Sequence, residues 1–205
     1  PESARALLAR HMPSCRIVCL RQVHRDRIVR AEDLALDVFP EADGVVSTDG
    51  SAVLCIRTAD CVPVLLWADD APVVAAVHAG WRGLALGIVK RAIDEIRSLG
   101  ARSVNVELGP SIGPCCYEVG PEVINALGVE PAASSRGAPS VDLHLVAGAQ
   151  AVSAGVLPSH VHSVRSCTCC NPSLYFSYRR DGASTGRNLS VIGGEACTLP
   201  VSRAR

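Results

Sequence analysis

Residues 58–83 read TADCVPVLLWADDAPVVAAVHAGWRG, and the way this stretch folds decides the rest. Val62, Val64, Leu65, Leu66 and Trp67 make one apolar run, and Val73, Val74, Ala75, Ala76 and Val77 make another. Asp69-Asp70-Ala71-Pro72 between them is a turn, because an aspartate side chain bonds its own backbone and proline fixes φ. Paired as a hairpin, the start of the first strand lies beside the end of the second. Cys61 and His78 then meet at one sheet edge. A thiol and an imidazole there are the raw material of a metal site or of a Cys–His nucleophile.

Outward from the second strand, residues 84–99 carry Ala85, Ile88, Val89, Ala92, Ile93 and Ile96 at helical spacing, with Lys90, Arg91, Glu95 and Arg97 on the other face. Gly100 stands where a helix stop is expected. The turn at residues 80–83 therefore aims backbone N–H groups and a positive dipole end toward His78, with Arg82 in the turn. Such a place favours an anion such as phosphate.

At 205 residues the chain is one domain or at most two small ones. A hydrophobic fraction of 48% with 20% charged residues belongs to a soluble globular protein. The formal net charge of +0 offers no field for nucleic acid or for anionic lipid. Aromatic residues at 3% are too few for stacking platforms. Basic residues are nearly all arginine, Lys90 being the only lysine. No apolar run reaches bilayer length and no signal peptide opens the sequence. Reduced thiols in the cytoplasm are the expectation for the ten cysteines, since adjacent pairs do not resemble a secreted disulfide framework.

Before the central stretch, residues 2–11 read as a helix with Ala4, Leu7 and Leu8 on one side. Residues 15–20 read as a strand running into Arg21-Gln22-Val23-His24, and Ile28-Val29 as a second short strand. Asp43-Gly44 leads into a strand at Val45-Val46, and Asp49-Gly50 is a turn. Residues 53–56 are a strand delivering Arg57. After the central helix, residues 104–108 are a strand ending in a loop made rigid by two Gly-Pro steps, followed by Cys115, Cys116, Tyr117 and Glu118. Residues 121–127 form a helix with Pro121 in its first turn. Residues 130–140 (EPAASSRGAPS) read as a mobile surface loop, and Asp142 caps a helix reaching about Gly155. Residues 161–164 and 175–179 read as strands, the latter ending in Arg179-Arg180. Residues 189–192 close the sheet, and the tail after Glu195 reads as frayed.

Cys167 and Cys170 have CxxC spacing, but a structural zinc site needs a second such pair, and Cys197 stands alone. The adjacent thiols of Cys115 and Cys116 point in different directions and read as packing residues. Cys115, Cys116, Cys167, Cys169 and Cys170 are therefore expected to be structural or incidental. Arg179, Arg180 and Arg187 can clamp a phosphate or a carboxylate.

His24, Cys61 and His78 each sit at a strand end, where the backbone is rigid and a side chain can face a cleft. Two imidazoles and a thiolate leave one tetrahedral position open, which is the catalytic zinc pattern. The competing reading makes Cys61 a nucleophile and His78 its base, with Asp60 as the orienting group, and leads to acyl transfer such as amide hydrolysis. A third reading is a binding module that leaves its ligand unchanged.

The motifs QVH at residues 22–24, ADG at 42–44, TADC at 58–61, HAGWRG at 78–83, GPSIGPCCYEVG at 109–120 and FSYRRDGASTGR at 176–187 together resemble the YfiH family. This family is also called the laccase-domain or polyphenol oxidase-type purine nucleoside phosphorylases. The resemblance covers nearly the whole chain in the same motif order. It implies an α/β (α+β) single domain over residues 1–205, with mixed sheets flanked by helices. It also implies a zinc ion held by His24, Cys61 and His78. The implied reactions are phosphorolysis of adenosine, inosine, guanosine and methylthioadenosine, and deamination of adenosine. Purine nucleosides and phosphate are the implied partners, with Gln22, Arg82, Arg179 and Arg187 as contacts. Asp60 is the acid/base candidate beside Cys61 and His78. Copper-dependent oxidation of phenols ranks lower, because it calls for more closely spaced imidazoles and the chain has six His. A Cys61–His78 deamidase remains the hydrolytic alternative. The family's opening segment, with its strand and Arg-Gly-Gly-type loop, precedes the point where this sequence begins at Pro1.

Overall fold

The computed structural model describes residues 2–36, 38–49 and 51–193. Gly50, Cys197 and the tail after Glu195 lie outside them. In chain order the elements are α1 (Glu2–His11), β1 (Arg16–Cys19), β2 (Ile28–Arg30), β3 (Gly44–Ser47), β4 (Ala52–Thr58), β5 (Val62–Ala68), β6 (Val74–Ala79), α2 (Trp81–Ala85), α3 (Ile88–Ser98), β7 (Val104–Leu108), α4 (Pro121–Leu127), β8 (Ala132–Ala133), β9 (Pro139–Ser140), α5 (Leu143–Ser153), β10 (Val161–Ser163), α6 (Tyr178–Asp181) and β11 (Asn188–Ile192).

The hairpin expected at the centre is there. β5 and β6 pair antiparallel with Val62 opposite Ala79 and Pro63 opposite His78. They occupy the middle of a six-stranded mixed sheet in the order β10-β7-β5-β6-β3-β2. A second sheet of three strands, β1-β4-β11, lies across one face of the first. Helices α3 and α5 cover the other face. This double cover explains why β5 and β6 read as near-continuous apolar runs and not as alternation.

The two-residue period still sorts the side chains. From β6, Ala75 and Val77 pack with Ile88, Val89, Ala92, Ile93 and Ile96 of α3 and with Leu143, Ala147 and Ala151 of α5. Val74 and Ala76 point the other way, into Leu54 and Ile56 of β4 and Val18 of β1. A third small core joins Ala4 and Met12 to Ile17, Cys19, Val53 and Cys55, and so ties α1 to the outer side of the smaller sheet.

Three local expectations are corrected. The single helix expected at residues 84–99 is broken into α2 and α3, because Gly87 takes φ 77° in the left-handed region and restarts the chain as the N-cap of α3. α2 is then only five residues long, and its end carries little macrodipole. Residues 175–179 do not form a strand. Ser177 Oγ accepts from the Arg180 N–H and starts the one-turn helix α6. Residues 130–140 hold a small ribbon, β8 with β9, and a two-bond ion pair from Arg136 to Glu118. Among the described residues no helix is long and apolar enough to cross a membrane.

Candidate active site

The hairpin register carries the site. With Val62 opposite Ala79, Cys61 lies just before β5 and across from Gly80, beside the end of β6 that carries His78. His24 arrives from the loop after β1. The ligand atoms of His24, Cys61 and His78 all lie within 4.8 Å of one another. The two imidazoles meet edge to face, with centroids 4.7 Å apart at 81°. Gly80 makes this convergence possible. A Cβ there would stand 3.0 Å from Cys61 Sγ and 3.3 Å from His24 Cδ2. A side chain at this position would occupy the space the three ligands share.

Two backbone conformations are unusual here. His24 has φ 59° and Asp60 has φ 100°. These are the two described non-glycine residues at positive φ, and both belong to the site. Such conformations cost about 1–3 kcal/mol each and persist only where surrounding bonds over-determine them. At His24 those bonds come from Asp43. The Asp43 carboxylate, fully buried, accepts the backbone N–H groups of Val23, His24 and Arg25 at 3.2, 2.9 and 2.8 Å. The same carboxylate accepts from His78 Nδ1 at 2.8 Å. One aspartate thus shapes the loop bearing one imidazole and orients the other, leaving His78 Nε2 to face Cys61. A carboxylate–histidine pair is the usual outer support of a metal-ligating histidine. The trio therefore fits a three-ligand zinc site on its own chemistry: two neutral nitrogens, one thiolate, a carboxylate behind, and no side chain above.

The electrostatics agree with that geometry. Burial alone would push the Cys61 thiol up, but the charge of His78 and hydrogen bonds from His24 and His78 outweigh it, and the pKa falls to about 6. Burial would push His78 down, but the Cys61 charge and the Asp43 hydrogen bond raise it to about 9. For Asp43, burial works upward, and the His78 and backbone bonds win and lower it. In metal-free protein, alkylation of Cys61 is expected to switch on through a midpoint at about pH 6, against about 8.5 for an ordinary thiol. Below the midpoint the thiol holds its proton and is inert. Peptide mass spectrometry after timed iodoacetamide exposure across pH checks this, and a midpoint at the ordinary value would refute the buried charge pair. Added zinc is expected to block the reaction.

Around the trio lies a cavity of about 400 Å³, within the size range of small-molecule sites. Gln22, Arg57, Asp60, Tyr117, Arg179 and Arg187 are among its walls. The expected contacts Gln22, Arg179 and Arg187 thus reach the cavity. Arg82 is not among the lining residues; it is exposed and lies over the Trp81 ring at 4.3 Å. Gln22 uses both ends of its amide on the Arg57 backbone, donating to the carbonyl at 2.7 Å and accepting the N–H at 3.0 Å. Asp60 accepts from Thr168 Oγ1 and from the Arg179 N–H, both at 2.7 Å, and so fastens the α6 segment to the cavity wall. Arg179 reaches on to the carbonyls of Cys116 and Glu118 at 3.0 Å each. It also lies 5.3 Å over the Tyr117 ring. Burial, followed by the Cys61 charge, raises the Tyr117 phenol to about 12, so it keeps its proton at neutral pH.

Asp43, Arg57 and Tyr117 are site residues that the sequence reading passed over. Arg57 carried a signal: it is the one charged residue in the strand AVLCIRT, after five apolar positions. Its Nε is buried with no hydrogen-bond partner, as is the neighbouring Thr58 Oγ1. Asp43 stood inside a quoted motif, but nothing local separates an aspartate that opens a turn from one buried beneath three N–H groups. The adjacent thiols of Cys115 and Cys116 do not point apart: Cys115, Cys116, Cys167 and Cys170 converge, with their sulfurs within 4.8 Å of one another.

Known proteins share this arrangement of chain. A family model described as multi-copper polyphenol oxidoreductase laccase matches residues 2–195. The purine nucleoside phosphorylase YlmD of Geobacillus stearothermophilus is 36% identical over 201 residues, covering 88% of this chain and 73% of the relative. An adenosine deaminase, RL5, from an unknown prokaryotic organism is 31% identical over 196 residues, covering 91% of this chain and 74% of the relative. The crystal structure of YlmD superposes with a TM-score of 0.83 at 35% identity, covering 93% of this chain and 78% of that one. The Bacillus licheniformis protein YfiH superposes at 0.82 with 31% identity, over 94% and 80%. With a match across nearly its whole length and the same fold, the chain belongs to the laccase-domain family that includes YlmD and YfiH.

Proposed function

We propose that this protein is a zinc-dependent purine nucleoside phosphorylase that also deaminates adenosine. The observation that carries the reading is the His24–Cys61–His78 cluster, backed by Asp43, in the wall of a cavity that also presents Arg57, Arg179 and Arg187. Relatives named purine nucleoside phosphorylase and adenosine deaminase supply the substrate class. Adenosine, inosine, guanosine and methylthioadenosine are the proposed nucleosides. Zinc fits the donor set better than copper. Multicopper oxidation calls for further imidazoles beside such a trio, and the other four histidines, His11, His144, His160 and His162, stand outside the cluster.

Zinc held by the trio supplies Lewis acidity at the reacting centre. The chain's own groups do the rest. The guanidinium groups of Arg57, Arg179 and Arg187 hold phosphate by charge and by forked hydrogen bonds, and Arg82 adds charge from α2, outside the cavity lining. Gln22 keeps Arg57 in place through its backbone. Tyr117, protonated, offers a hydrogen-bond donor to the nucleoside. In phosphorolysis a phosphate oxygen bonds to the anomeric carbon, the carbon–nitrogen bond breaks, and the purine leaves with a proton. In deamination water adds at C6 of adenine and ammonia leaves. Asp60 is assigned the proton transfers: each of its oxygens accepts one hydrogen bond and keeps a second acceptor site.

A second reading is favoured by one specific feature. The lowered thiol of Cys61, the raised His78 and the Asp43 carboxylate behind it also make a nucleophile, base and orienting group. One set of incubations separates the two. Purified protein with adenosine is expected to give adenine and ribose 1-phosphate only when phosphate is present, and inosine with or without it. A chelator is expected to stop both. No product from adenosine under any condition sinks the nucleoside reading, and chelator-resistant hydrolysis of amides would establish the Cys–His enzyme.

A further inference from the structure

Residues 165–187 pose a stability problem. They supply Thr168, Arg179 and Arg187 to the site, yet among them only Thr168 and Ser177 are buried, and neither is apolar. A segment whose apolar contact with the main core is limited to the partly buried Cys167 and Cys169 needs another kind of staple. Where it runs past the loop after β7, four thiols come together.

Cys170 Sγ lies 3.3 Å from Cys116 Sγ and 3.6 Å from Cys115 Sγ, and all four sulfurs of Cys115, Cys116, Cys167 and Cys170 lie within 4.8 Å of one another. Four sulfurs around one zinc ion at about 2.3 Å in a tetrahedron stand about 3.8 Å apart, whereas a disulfide brings two sulfurs to about 2.05 Å. The spacing here fits a shared ion for all four. Adjacent cysteines can join because residues 113–117 form a tight turn, with the N–H groups of Cys116 and Tyr117 both donating to the Gly113 carbonyl. In a helical turn neighbouring side chains are about 100° apart, so two thiols can face one partner. The surroundings suit a thiolate cluster. The Gly113 N–H donates to Cys167 Sγ at 3.2 Å. A Cβ on Gly113 would stand 3.2 Å from Cys115 Sγ and 3.6 Å from Cys167 Sγ, so the approach of the two loops depends on glycine. Arg180 Nη1 bonds the carbonyls of Thr168 and Cys169 and locks the second loop.

We propose that Cys115, Cys116, Cys167 and Cys170 form a second metal centre, a tetrathiolate zinc site that staples the Arg179-bearing segment to the body of the protein. With four protein ligands it is closed and structural, unlike the three-ligand cluster at the cavity. The proposal does not depend on which reaction the cavity performs.

The test is metal content measured by mass spectrometry on protein purified with a thiol reductant and zinc. The expected result is about two zinc ions per chain in the wild type, about one in Cys61→Ala and about one in the double variant Cys116→Ser/Cys170→Ser, as two independent sites require. Cobalt substitution is expected to give the intense visible bands and thiolate charge transfer of a tetrahedral four-sulfur site. Those bands should persist in Cys61→Ala and vanish in the double variant. If the double variant does not fold, the wild type and Cys61→Ala decide alone, since a single cavity site would give one ion and none. That count overturns the proposal. So does iron in place of zinc, or a disulfide among the four cysteines found by peptide mass in the reductant-purified protein.

Discussion

Cys61→Ala is expected to lose the cavity metal and to lower kcat/KM for phosphorolysis by on the order of 10³-fold or more, because a metal acting on a substrate oxygen supplies several kcal/mol and each ~1.4 kcal/mol is tenfold. The thiolate is the one anionic ligand of the cluster, and its pKa of about 6 shows how strongly the site favours that charge. The alanine leaves two imidazoles, one of them tied to Asp43, around a hole that water can fill. Folding should survive, since Cys61 is half-buried and stands outside the three apolar cores. The checks are product formation from adenosine with phosphate, metal content, and an unchanged thermal transition of the metal-free proteins. Full phosphorolysis in Cys61→Ala would end the metal scheme. Zinc must also restore activity to chelator-stripped wild type, whereas a Cys–His nucleophile would never have lost it.

Asp43→Ala is expected to damage both folding and metal binding. The substitution strips acceptors from three backbone N–H groups and from His78 Nδ1 at once. Breaking a buried charge pair costs about 3–5 kcal/mol, and loss of an outer carboxylate weakens metal affinity by roughly 10–100-fold. Denaturant unfolding and competition with a zinc-binding dye measure the two effects. The pH dependence follows the same carboxylate. Its pKa is lowered by folding, so its contribution is complete above the unfolded value of about 3.9 and is lost as pH falls through the lower native value. A variant with wild-type unfolding and unaltered zinc affinity would show that Asp43 is no more than a turn residue.

Much of this architecture could be read before any coordinates. The hairpin of β5 and β6, strand β7 and helix α4 announce themselves through apolar runs, an Asp-Asp-Ala-Pro turn and a proline in a first helical turn. Those signals are local, so they survive in sequence. The convergence of His24 with Cys61 and His78 is not local. Strand ends made the three plausible, and family resemblance selected them. Asp43 and Arg57 escaped because their roles lie in partners that the chain brings from elsewhere. Tyr175, Phe176 and Tyr178 are β-prone residue types, yet the capping bond of Ser177 starts the α6 turn there. The adjacent thiols of Cys115 and Cys116 converge with Cys167 and Cys170 because the chain turns tightly at Gly113, a long-range approach that no local signal announces.

The left-handed backbone at His24 sets the protein's chemistry against its endurance. Glycine would relax that position but would remove one of the three ligands. The posture of this imidazole is one that the Asp43 bonds hold in place, so backbone ease and ligand placement compete at a single residue.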